Sequence, residues 1–503
     1  MIQRPLRRVL FVLLACFGLL FVQLNRIQIF DAEALRADPN NTRTVQRDFS
    51  GPRGIISTVD GTVVARSVES DGVFERQREY PEGELYAHVA GYLSFNLGAE
   101  GVERAYNDEL IGRTPELELS SIADLFTESE ATGQVVLSLR HDLQQTARNA
   151  LGDREGSVVA LDPRTGELLA MWSWPSFDPN VLADHDGTAV NAAFAALSAE
   201  DDNPLRARAF RDIFFPGSTF KLVTAASALE EEVVTLTDPQ FPVETSYTPR
   251  LTTRPLSNFG GNLCGGDLLE LLRQSCNAGF ARIGAELLGP SALIGTAQSF
   301  GFNTVPPIDL PGAVASQFPT DYGEVLDEPS DELPAGLFED TPGLAQAAIG
   351  QGDVSATPLQ MALVAAGIAN DGAIMVPRVV TEVRDIQGEV VGDPAPAVWQ
   401  RPISAATAAD LRLAMIEVVA NGTGRSLATS GLTVGAKTGT AQLGTDPAAS
   451  HAWVVAFAGP EDEPAELVVA VLVEGQPGAS EQTGGRVAGP IAAAVIEAWQ
   501  AAS

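Results

Sequence analysis

The stretch Gly156–Trp172, GSVVALDPRTGELLAMW, holds two β-rich runs around Asp162-Pro163-Arg164-Thr165-Gly166. Apolar runs on either side of an Asp-Pro…Gly turn predict an antiparallel hairpin. A domain opens on this pair, because the pattern just upstream is different. In SLRHDLQQTARNAL, Ser138–Leu151, apolar residues at 139, 143, 147 and 151 recur at helical spacing, and Gly152 closes the helix. Downstream, residues from about 190 to 425 read as helices and loops, with surface loops rich in Pro, Thr, Asp and Glu at 239–261 and 316–342. Strand patterns then return at Val434–Lys437, Ala452–Ala458 and Leu467–Val473, before a closing helix at Ala488–Ala501. Strands at both ends with helices between predict an α+β domain whose two ends share one sheet.

At 503 residues and 45% hydrophobic content the chain can bury more than one core. No internal repeat is visible. A formal charge of −33 argues against nucleic acid as a partner, since phosphate backbones require a basic stripe. Such acidity fits solubility or a saline habitat better than a cationic ligand. The four histidines, His88, His141, His185 and His451, are scattered with no metal spacing, so neither metal nor cofactor is expected. Trp172 and Trp174 share one face of a strand and read as core.

Near the N-terminus, Arg4, Arg7 and Arg8 precede VLFVLLACFGLLFVQL, Val9–Leu24. At 1.5 Å per residue this run spans about 24 Å, and flanking arginines and Ile27, Ile29 and Phe30 extend it toward a roughly 30 Å hydrocarbon core. Positive charge before the run and Asp31 and Glu33 after it predict a single-pass anchor, with a cytoplasmic N-terminus and the remainder exported. Ala32-Glu33-Ala34 offers a rival signal-peptidase site, but far beyond the apolar run. Leu13-Leu14-Ala15-Cys16 resembles a lipoprotein box, yet the apolar run continues past Cys16. The expected division is a cytoplasmic tail at 1–8, an anchor at 9–26, an N-terminal domain at 27–153 and a catalytic domain at 154–503. Cys264 and Cys276 lie in the exported part, where either a disulfide or two small buried thiols is consistent with the sequence.

The chemistry centres on FPGSTFKLVTAASALE, Phe215–Glu230. Pro216-Gly217 makes a tight turn, and Ser218 then falls at the start of a helix, where free backbone N–H groups favour a developing anion. Lys221, three residues on, shares its helix face and comes within reach of Ser218 Oγ. Serine becomes a nucleophile when a neighbour takes its proton, and a lysine of lowered pKa can do so where arginine cannot. That distinction is informative here. Only two lysines occur in the chain, Lys221 and Lys437, and every other basic side chain besides histidine is arginine. Alone, S-x-x-K is no more than a serine cap beside a surface lysine. Ser275-Cys276-Asn277 and Lys437-Thr438-Gly439-Thr440 follow it in order, the second in a strand context.

S-x-x-K, S-x-N and K-T-G in this order resemble the signature of penicillin-binding proteins and serine β-lactamases. RGIIS (Arg53–Ser57), REYPEGELYAHVAGYLS (Arg78–Ser94), WSWPSFDPN (Trp172–Asn180), SCNAGFARIG (Ser275–Gly284) and IGQGDVSATPLQMA (Ile349–Ala362) are similar to class B penicillin-binding proteins, most of all actinobacterial ones. Ser57-Thr58-Val59-Asp60-Gly61 departs from the usual Asp-Arg-Asn-Gly stretch. The resemblance implies a transpeptidase domain with an antiparallel sheet and a helical subdomain, standing on an α+β pedestal. It implies a peptidoglycan D,D-transpeptidase that acts on stem pentapeptides ending in D-Ala-D-Ala and is acylated by β-lactams. Carried over residue by residue, Ser218 is the nucleophile and Lys221 the acylation base. Ser275 and Asn277 line the cleft, Lys437 supplies positive charge, and Thr438, Gly439 and Thr440 bind substrate. The N–H groups of Ser218 and Thr440 form the oxyanion hole. Residues 27–153 are too few for the glycosyltransferase domain of class A members, which implies docking to a separate polytopic glycosyltransferase. A β-lactamase or penicillin sensor on the same fold, a D,D-carboxypeptidase and a non-catalytic cell-wall scaffold are the alternatives. The E-x-x-L-N pattern of class A β-lactamases is absent.

Overall fold

The computed structural model describes residues 49–502 except 73, 115–116, 118–131, 201, 446–447, 462 and 477–482, together with residues 13–21, 23 and 26. Residues 13–21 are helical, with Leu13, Leu14, Phe17, Leu19, Leu20 and Phe21 exposed. The rest of the expected anchor lies outside the described residues. Among the described residues no helix is long and apolar enough to cross a membrane.

The first domain runs through β1 (Ile56–Thr58), β2 (Val63–Glu69), β3 (Arg76–Glu79), α1 (Gly101–Ala105) and β4 (Gln134–Leu137). Its interior is tied by a charged triad. Glu103 on α1, fully buried, accepts from Arg53 Nε and Arg78 Nε, each at 2.6 Å, and from Tyr80 OH at 3.2 Å. A buried carboxylate persists only when paired and hydrogen-bonded in this way.

The helix α2 (His141–Leu151) follows. It begins later than the periodicity suggests, because Ser138 N is drawn to Val379 O at 2.8 Å. Leu139, Leu143, Ala147 and Leu151 are all buried, and Gly152 ends the helix at φ 61°. The hairpin β5 (Gly156–Leu161) and β6 (Leu168–Trp174) opens the second domain, as expected from its turn. The chain continues through α3 (Lys221–Glu230), α4 (Leu268–Gln274), α5 (Asn277–Arg282) and α6 (Pro358–Ala369). Then come β7 (Val380–Arg384), β8 (Val390–Gly392), α7 (Ala405–Asn421), β9 (Leu432–Gln442), β10 (Ser450–Pro460), β11 (Leu467–Val473) and α8 (Gly484–Ala502).

Strand order in the second sheet is β9-β10-β11-β5-β6, antiparallel throughout, so the two ends of the domain share one sheet. β11, LVVAVLV, is buried at every position because it sits at the centre of that sheet. α2 and α8 pack on each other and on the sheet, while α6 packs on β5, β10 and β11. α6 is apolar all round, and all its residues are buried, the placement that such a helix requires. β9 is an edge strand, so its free side is available to line a cleft.

One strand pair crosses the expected domain division. β7 and β8, far downstream of residue 153, complete the first domain's sheet in the order β8-β7-β4-β1-β2-β3. β4 pairs parallel with β1 and antiparallel with β7, so both of its hydrogen-bonding edges are satisfied. The two domains are thus joined by a shared sheet as well as by the chain between them.

Candidate active site

Ser218 lies in a short 3-10 turn, Gly217–Thr219, just before α3 and not within it. The turn is pressed against the middle of β9. Gly217 has φ 52°, and a Cβ there would come 2.8 Å from Thr440 O. On the strand, a Cβ at Gly439 would meet Thr219 Cγ2 at 2.9 Å and Trp453 Cβ at 3.0 Å. Two glycines therefore let the Ser218 turn and the K-T-G-T strand touch. Trp453 Nε1, donating to Phe215 O at 3.0 Å, fixes the turn from the other side. Thr219 is buried and Ser218 half-buried, so the hydroxyl of Ser218 is the one offered to the cleft.

Lys221, on the first turn of α3, is fully buried. Its Nζ donates to Ser275 O and Asn277 Oδ1, both at 2.7 Å. The spacing argument placed this amine against Ser218 Oγ, but Ser218 makes no hydrogen bond among the described residues, and the amine points to the Ser275–Asn277 segment. Catalytic hydrogen bonds of substrate-free sites commonly tighten only once substrate is bound.

Ser275 caps the end of α4 in the left-handed region, at φ 59°. That conformation costs a residue with a side chain roughly 1–3 kcal/mol and clusters at functional sites. Here it lets one residue serve both lysines. Its carbonyl accepts from Lys221, and its Oγ accepts from Lys437 Nζ at 2.7 Å. Lys437 also donates to Thr438 O at 2.8 Å. The disulfide Cys264–Cys276, Cα atoms 5.8 Å apart, holds the same loop, and Asn277 Nδ2 donates to Ser257 O at 2.8 Å. Of the two readings open for the cysteines, the structure selects the bridge.

Both lysines lose affinity for the proton. Burial, and then the neighbouring Lys437, pushes the Lys221 amine well below the ordinary lysine range. Burial alone lowers Lys437 to about 7. A neutral amine beside a serine can accept a proton at neutral pH.

The cleft around these groups measures about 1000 Å³, and Ser218, Ser275, Asn277, Thr438 and Thr440 all line it. Gly439 does not line it; its place is the contact with the Ser218 turn. Thr438 is also bound from behind, by a hydrogen bond of 2.6 Å between its Oγ1 and Thr423 Oγ1. Thr423, Arg425 and Arg486 line the cleft and were not singled out from the sequence. A single polar loop after a long helix carries no signal of its destination.

A profile of the penicillin-binding protein transpeptidase domain matches residues 156–497, and one of the penicillin-binding protein A dimerisation domain matches residues 53–136. The chain belongs to the penicillin-binding protein family. As a class B member it is 38% identical to the peptidoglycan D,D-transpeptidase PbpA of Mycolicibacterium smegmatis, over 98% of both chains. Identity to PbpA of Mycobacterium tuberculosis is 36% with the same coverage. The solved ceftriaxone acyl-enzyme of penicillin-binding protein A from M. tuberculosis superposes with a TM-score of 0.80 at 33% identity, covering 90% of this chain and 99% of that one. The penicillin G acyl-enzyme of the same protein gives 0.78 at 34% identity, covering 90% of this chain and all of that one. These matches bear out the penicillin-binding fold expected from the three motifs.

Proposed function

We infer that this chain is a peptidoglycan D,D-transpeptidase working through a Ser218 acyl-enzyme. The observation that carries the assignment of roles is the continuous set of hydrogen bonds from Lys221 through Ser275 and Asn277 to Lys437 beside the Ser218 turn. Neutral Lys221 takes the Ser218 proton while Oγ attacks the penultimate D-alanyl carbonyl of a stem pentapeptide. The amide C–N bond breaks, D-alanine departs with a proton on its nitrogen, and an ester remains on Ser218. Ser275 relays protons between the lysines, and Asn277 binds the substrate amide. Thr438 and Thr440 hold the terminal carboxylate. The N–H groups of Ser218 and Thr440 receive the oxyanion, each such donor contributing about 3 kcal/mol to the transition state. An acceptor amine then resolves the ester into a cross-link, whereas a β-lactam leaves an acyl-enzyme with no departing fragment to make way for an acceptor.

The proposed organisation is a cytoplasmic tail at 1–8, a membrane anchor at 9–26, a pedestal at 27–153 and a transpeptidase domain at 154–503. The exposed apolar helix at 13–21 supports the anchor. Catalysis is then extracytoplasmic, and the pedestal docks a polytopic membrane glycosyltransferase. Reconstituting the two proteins and finding glycan polymerisation unchanged would remove that partner.

Intact mass over time with excess penicillin tests the chemistry. A one-to-one adduct that lasts for hours and is absent from Ser218→Ala is expected. Rapid drug turnover would mean a β-lactamase instead, and no adduct would leave either a drug-resistant transpeptidase or a scaffold.

A further inference from the structure

The cleft carries a charge pattern that the steps above do not use. The chain has 65 acidic and 32 basic side chains, yet among the described residues no Asp or Glu lines the cleft, while Arg273, Arg425 and Arg486 do. Arg273 is held by Glu270. Arg425 and Arg486 have no carboxylate partner among the described residues, and Arg425 Nη2 donates to Asn421 O at 3.1 Å. In so acidic a chain, two arginines with no carboxylate partner among the described residues, facing a cleft lined by no described acid, mark a place for an anion.

Two contacts locate them within the cleft. Thr423 is bound to Thr438 through their hydroxyls at 2.6 Å, and Ser426 Oγ donates to Gly485 O at 2.9 Å. A Cβ on Gly485 would lie 2.4 Å from Thr423 O. The loop carrying Arg425 and the first turn of α8 carrying Arg486 therefore abut each other beside Thr438. Their charge is also the permanent one. Burial leaves Lys437 titrating at about 7 and Lys221 well below its usual range, whereas arginine stays protonated at any working pH.

The inference rests on the transpeptidase reading. On that reading Thr438 and Thr440 face the carboxylate of the terminal D-alanine, so the arginines stand at the leaving-group end. The amine that resolves the acyl-enzyme must enter where D-alanine departs. We propose that Arg425 and Arg486 form an anion subsite that selects an acceptor amine whose adjacent carbon bears a free carboxylate, over the same amine bearing a carboxamide. A guanidinium matches a carboxylate with two parallel N–H donors and has no such match with an amide. The neutral acceptor nitrogen attacks the Ser218 ester carbonyl. The C–N bond forms, the C–Oγ bond breaks, and the proton shed by nitrogen ends on Ser218 Oγ.

The test uses the full chain acylated by an N-acyl-D-alanyl thioester, with the acyl-enzyme partitioned among water, D-alanine and D-alaninamide. Product ratios, corrected for the fraction of neutral amine, read acceptor choice independently of acylation rate. The wild-type enzyme should favour D-alanine about ten-fold or more, the size of one charge-assisted hydrogen bond. Arg425→Gln with Arg486→Gln should bring the ratio near one, and lysine at both positions should restore part of it. Arg486→Gln alone is read in the same assay, with a reduced ratio expected, should the double variant fail to fold. Equal use of the two amines by the wild type, preference for the amide, or a preference that survives in these variants overturns the proposal. If neither thioester nor penicillin acylates Ser218, the transpeptidase reading has failed and the subsite falls with it.

Discussion

Lys437 Nζ donates to Ser275 Oγ at 2.7 Å, so the one lysine of the K-T-G-T strand is coupled to the residue whose carbonyl receives the other lysine. The two lysines therefore act through a single serine. Ser275→Ala keeps the Lys221 bond to the backbone but removes the hydroxyl that Lys437 meets. Acylation by penicillin should slow about 10²-fold or more, the low end for loss of a proton relay. Stopped-flow or mass-resolved acylation rates check this, with an unchanged circular dichroism spectrum showing that the fold survives. An unaltered rate would remove Ser275 from the chemistry.

Lys221 is competent as a base when neutral, a form that burial favours, whereas Lys437 is competent when charged. Acylation should rise with pH as Lys221 loses its proton and fall above about 7, where Lys437 loses its charge. Lys221→Arg, which stays charged, should abolish it. Stability runs the other way above about pH 7. The folded pKa of Lys437 lies below its unfolded value of 10.5, so between about 7 and 10.5 the unfolded chain binds the extra proton. On this account stability increases with pH across that window, and the full deficit is present below it. A rate profile flat from pH 5 to 8 would contradict the assignment.

Gly439 lets the Ser218 turn lie against β9 because no side chain intervenes. Gly439→Ala would place a Cβ 2.9 Å from Thr219 Cγ2 and 3.0 Å from Trp453 Cβ. Overpacking of this kind costs about 1–3 kcal/mol. We expect a lower Tm together with slower acylation, since the strand must move away from Ser218. A variant as stable and as fast as wild type would mean that the turn and the strand are not pressed together.

Glu103 answers two buried arginines at once. Burial alone would raise its carboxyl pKa, but Arg78 and Arg53 outweigh that and hold it below the ordinary value. Glu103→Gln should destabilise the first domain by about 3–5 kcal/mol, the cost of leaving buried charges uncompensated. The wild-type contribution is present above the ordinary glutamate range and disappears as pH falls through the lowered folded pKa. Denaturant melts of both proteins at pH 7 and pH 4 measure it, and equal midpoints at neutral pH would refute the triad's role.

The disulfide ties Cys276 to Cys264, and just upstream of Cys264 Ser257 O accepts from Asn277 Nδ2 and Asn258 Oδ1 from Ala278 N. Cys264→Ala with Cys276→Ala should lower stability by about 2–4 kcal/mol. Thiol titration of the unreduced wild type should find Cys16 alone reactive. Three titratable thiols would show the bridge absent.

Local patterns carried much of the fold into view. The hairpin turn at Asp162–Gly166 and the spacing of Leu139, Leu143, Ala147 and Leu151 are short-range signals; the hairpin formed where its turn pointed, and the helix formed from His141, leaving Leu139 buried ahead of it. The strands β7 and β8 were not legible as part of the first sheet, because their partner β4 lies far upstream and nothing in Val380–Arg384 encodes which edge it will complete. Ser218 lies in a 3-10 turn before α3 and not on the helix's first turn, because Gly217 at φ 52° packs against β9, a long-range contact that no local pattern shows.

The sequence by itself determined the residue types from which the Ser218 proposal is built. Serine, lysine, asparagine and threonine in three ordered motifs, with lysine kept for two positions alone, restrict the chemistry by residue type, which needs no coordinates. Tertiary structure alone decided which group each lysine holds, that Cys264 and Cys276 are joined, and that the segments carrying Arg425 and Arg486 abut beside Thr438. These are contacts between residues distant in the chain. Burial and close approach create them, and they also lower the lysine pKa values, so neither property is written in any local stretch.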